Sequence, residues 1–219
     1  TLSAGESGTA TGGAVSIMTG FGTAKSSGDL TIKTANAGTS GTSGKIDFMT
    51  GVATNGDSGE IFIGTGVASS GRGGTVTIAV GDGNSGAGGE LKLSAGKALF
   101  PTTNDSQSGG KVTITSGQSA KTSSGDIVIT TAAGGTRDDG PTPPTNGGTT
   151  GLITLSSGAS TKGNSGALYI GSGNGVKGRS GSIFVTVGSG DSGTGGDIEI
   201  SAGATSASTG KTGGKLSLM

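Results

Sequence analysis

Few residues in this chain have the type and spacing that chemistry requires. Asp138-Asp139 is a carboxylate pair in a segment rich in proline and threonine, a setting of solvated rather than catalytic carboxylates. Gly81-Asp82-Gly83-Asn84-Ser85-Gly86 has the texture of a calcium-binding roll, but that motif needs an aspartate recurring every nine residues, which is missing. Gly210-Lys211-Thr212 ends like a phosphate-binding loop, yet lacks the upstream glycine at the required spacing and a strand-to-helix setting. Serine and threonine are abundant, but the chain has no histidine to activate them and no cysteine for a thiolate or a disulfide. Asn104-Asp105-Ser106 is an N-glycosylation sequon, and Thr142 and Thr145 stand in a Thr/Pro segment suited to O-glycosylation. The expectation is a protein that is not an enzyme and holds no cofactor or metal.

Composition narrows the classes further. Of 219 residues, 51 are glycine, and 14 basic side chains balance 14 acidic ones. Zero net charge removes the electrostatic footprint of a nucleic-acid binder. No apolar run approaches the roughly 18 residues of a membrane span. No signal peptide is visible, and the chain starts and stops inside a repeat, which predicts a piece of a longer chain or filament.

The elements that must position these residues follow from an internal repeat. Its form is Gly-x-Φ-x-Φ-x-(Thr/Ser)-Gly-x-(Ala/Gly)-x-x-Gly-x-(Ser/Gly), where Φ is aliphatic. The second Φ column reads Leu2, Ile17, Ile32, Phe48, Ile63, Ile78, Leu93, Ile114, Ile129, Leu155, Ile170, Val185, Ile200 and Leu218. The spacings are 15, 15, 16, 15, 15, 15, 21, 15, 26, 15, 15, 15 and 18, so departures from 15 are all additions, as insertions into loops would give. The first Φ column runs from Val15 and Leu30 to Ile198 and Leu216, and a glycine stands two residues before every member. Two residues after the second Φ is a small residue such as Thr19, Thr34 or Ala95, followed by glycine, with Ala35 and Ala132 as substitutes.

Period two with β-branched residues describes a strand with one buried face. One repeat buries too little to offset a conformational entropy of roughly 1–2 kcal/mol per residue, so repeats are expected to stack. The sequence therefore predicts an all-β fold, a single β-solenoid (parallel β-helix) of about 14 rungs with a 15-residue repeat over 1–219. The glycine columns would form its corners and the small column a second, thin wall. Loop insertions fall near 99–107 and 135–149, and all four prolines lie in them, as ladders excluding proline require.

Residues between the Φ columns face outward. Phe62, Tyr169 and Phe184, with Met18 and Met49, form a candidate lateral interface, and Tyr169 and Phe184 are expected to stack on successive rungs. The residue before the first Φ is charged in Asp29, Lys45, Glu60, Glu90, Lys111 and Asp126, an order that keeps like charges from stacking between rungs.

Blocks such as Ser58-Gly59-Glu60-Ile61-Phe62-Ile63-Gly64-Thr65-Gly66 and Gly196-Asp197-Ile198-Glu199-Ile200-Ser201-Ala202-Gly203 carry a resemblance. They are similar to the Gly/Ser/Thr-rich β-solenoid repeats of extracellular fibres and cell surfaces, of microalgal or bacterial type. The resemblance covers nearly the whole chain and implies an extracellular or cell-surface location and no cofactor. The function expected is a structural subunit of an extracellular filament or matrix fibre. Its partners would be copies of itself, head-to-tail by end-to-end stacking of rungs and laterally, with attached glycans. A second reading is an adhesin or glycan-binding surface protein using the two insertions. A third, an ice-binding solenoid, needs a regular Thr-x-Thr face, which the mixed outward column does not provide.

Overall fold

In the computed structural model, residues 1–99, 108–135, 147–206 and 209–218 are described. The chain divides into two bodies, Thr1–Val112 and Thr113–Met219.

The Φ-x-Φ runs keep a zigzag of period two. Ile183 and Val185 are 53% and 70% exposed, while Phe184 between them is 85% exposed. Charges two residues apart meet on one side of a run. Lys45 Nζ lies 2.7 Å from Asp47 Oδ2, and Lys92 Nζ lies 2.8 Å from Glu90 Oε2. Residues at i and i+2 do not face each other on a helix, so these pairs mark an extended backbone.

The runs do not pair. Among the described residues there is no helix and no sheet, only an isolated bridge at Gly147. Among the described residues no side chain is buried and there is no core. The accessible surface is 21812 Å². A compact protein of this mass exposes about 9,000 Å² and its fully unfolded chain about 30,000 Å², so only about a quarter of the surface is covered. The β-solenoid expected from the period is therefore overturned, and with it the rungs, the ladders and the second wall.

The physical reason lies in how each repeat closes. Nine residues after Thr50, Gly59 returns beside the Thr50 side chain, and the same return occurs throughout the chain. A Cβ added to the glycine before each run would meet the small residue that ended the previous run, or the glycine after it. The pairs are Gly13 with Ala4, Gly28 with Thr19, Gly44 with Thr34, Gly59 with Thr50, Gly74 with Thr65, Gly89 with Val80 and Gly110 with Ala95. In the second body they are Gly125 with Ser116, Gly151 with Thr131, Gly166 with Ser157, Gly181 with Ser172, Gly196 with Val187 and Gly214 with Ala202. Each connecting segment whose residues are all described is thus a loop pinched at its base, an Ω-like closure. The small column is the pad of this neck rather than a wall.

Hydrogen bonds close several necks. The Gly13 N–H donates to Gly5 O at 2.9 Å, Gly28 to Gly20 at 3.1 Å, Gly110 to Gly96 at 2.9 Å, Gly125 to Gly117 at 3.0 Å and Gly214 to Gly203 at 2.7 Å. Elsewhere the side-chain hydroxyl of the pad closes the neck. Ser172 Oγ donates to Gly181 O at 2.8 Å and Thr34 Oγ1 to Gly44 O at 3.2 Å. Polar pairing is therefore spent within a repeat, and the interior of each run is left to water.

The two glycine columns differ in what holds them. Close approach holds several members of the column before the run, most tightly Gly89, where a Cβ would fall 2.6 Å from Val80 Cγ1, while at Gly28, Gly125 and Gly166 it would meet its pad at an ordinary contact distance. The column after the pad (Gly20, Gly51, Gly66, Gly81) has open space where a Cβ would go and no positive φ, which fits Ala35 and Ala132 standing in it. Left-handed backbone occurs at loop tips instead, as at Gly86 (φ 75°) and Gly193 (φ 79°).

Short loops are also held by serine two residues past the neck. Ser7 Oγ accepts the Ala10 N–H at 3.0 Å, Ser119 Oγ accepts that of Thr122 at 3.0 Å, and Ser160 Oγ accepts that of Gly163 at 2.9 Å. These are hydroxyl-capped turns.

Candidate interaction surface

The surface of interest is the Φ face of the runs. First-column side chains are 44–57% exposed and second-column side chains 57–84%. An apolar pair, one member about half exposed and the other mostly exposed, thus recurs from repeat to repeat. Soluble monomers seldom leave apolar side chains in so regular an array, and large exposed apolar surface marks contact sites. Ile61, Phe62 and Ile63 line one open apolar cleft together with Phe48 of the preceding run.

The outward residues named from the sequence are also exposed. Phe62, Met18 and Met49 face solvent. Tyr169 is 92% exposed, so the stack expected with Phe184 is not formed within the chain. Among the described residues no ladder pairs successive runs, so nothing holds the two rings side by side. Two of the charges before the first Φ, Lys45 and Glu90, pair along their own runs with Asp47 and Lys92.

A second, more polar cleft is lined by Thr50, Val52, Asp57 and Ser58 on one side and Lys97 and Leu99 on the other. It brings together loops that follow Phe48 and Leu93, three repeats apart. Sequence periodicity alone gave no signal for this meeting.

Asn104, Thr142, Thr145 and the Asp138-Asp139 pair lie outside the described residues. Among the described residues, no three His, Cys, Asp or Glu side chains come together as a metal site would need. Among them also, no helix is long and apolar enough to cross a membrane. No protein family, curated protein or solved structure matches the chain.

Proposed function

We propose that this chain is a structural repeat protein that associates with copies of itself in an extracellular fibre or cell-surface matrix. The observation that supports this reading is the exposed apolar pair that recurs from repeat to repeat. Burying such side chains contributes about 0.8 kcal/mol per methylene, and a repeated array multiplies that gain. A partner must carry apolar groups at the same spacing to use several repeats at once, and a second copy does so by construction. The same multiplicity makes weak single contacts add as avidity.

The test is electron microscopy and sedimentation of the purified chain over a range of concentrations. Fibres or large assemblies that form above a threshold concentration are expected. Monodisperse particles of monomer mass at high concentration would refute self-association. Antibody labelling of intact, unpermeabilised cells checks the location, and labelling only after permeabilisation would refute an extracellular site.

A further inference from the structure

We infer that copies pair edge to edge through their Φ-x-Φ runs, in parallel, with one copy shifted by one repeat. This rests on the proposed self-association and deepens it by assigning the element, the orientation and the offset.

The first observation is the unused backbone. Among the described residues, hydrogen bonds between backbone groups sit at the loop necks, and the interiors of runs such as 29–33, 45–49 and 60–64 make none. A run of period two with free N–H and C=O groups is an open strand edge, the standard template for pairing with another chain. Proline, which would block such pairing, is absent from every run. Edge pairing also places the half-exposed Φ side chains of two copies side by side on one face.

The second observation sets the offset. The residue before the first Φ is Asp29, Lys45 and Glu60 in three successive repeats, and Glu90 then Lys111 in two more. In the second body Asp197 is followed by Lys215. Parallel copies in register would set each charge beside its own copy. A shift of one repeat sets Asp29 beside Lys45, Lys45 beside Glu60, Glu90 beside Lys111 and Asp197 beside Lys215. Every charged neighbour within each body is then of opposite sign, and no like pair arises. Opposite charges directly across strands stabilise and like charges destabilise. The same shift brings Tyr169 of one copy beside Phe184 of the next, the stack that a single chain leaves unmade. The Lys45–Asp47 and Lys92–Glu90 contacts do not oppose this, because both are exposed pairs whose lysines can be shared with a neighbouring run.

The experiment uses the full chain. An equal mixture of ¹⁴N- and ¹⁵N-labelled protein is assembled and treated with a zero-length carbodiimide, which joins carboxylates to amines in direct contact. Mixed-isotope peptides joining Asp29 to Lys45 and Lys45 to Glu60 are expected, along with an infrared signature of intermolecular β structure. In parallel, a Lys45→Glu/Lys111→Glu variant is compared with the wild type. It is expected to need at least about a tenfold higher concentration to assemble at low salt, because the shifted pairs become repulsive. In-register pairing predicts no such change, since each site merely exchanges one like pair for another. If the wild type assembles but the variant matches it and no mixed-isotope Asp29–Lys45 product forms, the shifted pairing is wrong while the fibre reading stands. If the wild type never assembles, both fail.

Discussion

Gly89 stands so close to Val80 that a methyl group on its Cα would lie 2.6 Å from Val80 Cγ1. The same relation holds between Gly196 and Val187 at 2.9 Å, in the other body. These are the tightest necks against a side-chain pad, and they show what the glycine before each run is for. Gly89→Ala is expected to open its loop at a cost of about 1–3 kcal/mol, the range for overpacking a fixed contact. Gly81→Ala, eight residues earlier with open space at its Cβ, is expected to be neutral. Nuclear Overhauser contacts between the Val80 methyls and Gly89 check both, and adding Val80→Ser to Gly89→Ala restores the closure.

Hydroxyl pads make a smaller, separable contribution. Ser172→Ala removes the donor to Gly181 O and leaves the packing of the neck intact. An exposed bond of this kind contributes on the order of 0.5–1 kcal/mol to local closure. Faster amide exchange confined to loop 173–180 is the expected outcome, with loop 188–195 unchanged.

Loop length is expected to be nearly free. Because the Gly166–Ser157 neck defines where the next run starts, Gly/Ser residues added at the tip of loop 158–166 leave that start in place. Doubling such a loop costs only about 0.6 kcal/mol in closure entropy. Backbone chemical shifts of run 166–172 unchanged on insertion would agree, and shifts propagating into that run would not.

Exposed ion pairs are expected to matter little for the single chain. Asp47→Asn breaks the contact with Lys45, whose side chain is largely exposed while that of Asp47 is partly so. Such pairs are worth less than about 1 kcal/mol and fade with salt. The chain's backbone chemical shifts beyond residues 44–49 are expected to stay within the wild-type pattern.

Assembly depends instead on the aliphatic face. Ile61→Ser with Ile63→Ser removes two side chains whose full burial would contribute about 1.5–3 kcal/mol each. A raised assembly threshold, read by sedimentation, is expected. Phe62→Ser alone, which removes one side chain of the same cleft, is expected to raise the threshold less than the double change does.

Much of the local structure was legible in the residues. The run, its period of two and the invariant glycine before it follow from side-chain alternation and from spacing, because both act over a few residues. The charge order from Asp29 to Lys111 was also visible, although its intrachain partners were not. A lysine can reach i+2 along its own strand as readily as across to a neighbour, and only coordinates separate the two. The candidate residues Phe62, Tyr169, Phe184, Met18 and Met49 are all exposed, as is every apolar run among the described residues.

What the sequence by itself determined is therefore the repeat: which residues alternate, where glycine recurs and where length can vary. The tertiary structure decided what the repeat closes against. A glycine forced into close approach can pack on a neighbouring rung or on the end of its own preceding run, and the period is the same in both cases. Here Gly59 meets Thr50 and Gly89 meets Val80, so each repeat closes upon itself and leaves its aliphatic pair and strand edges unpaired. Periodicity reports that equivalent contacts recur; it does not carry the sequence separation across which they form.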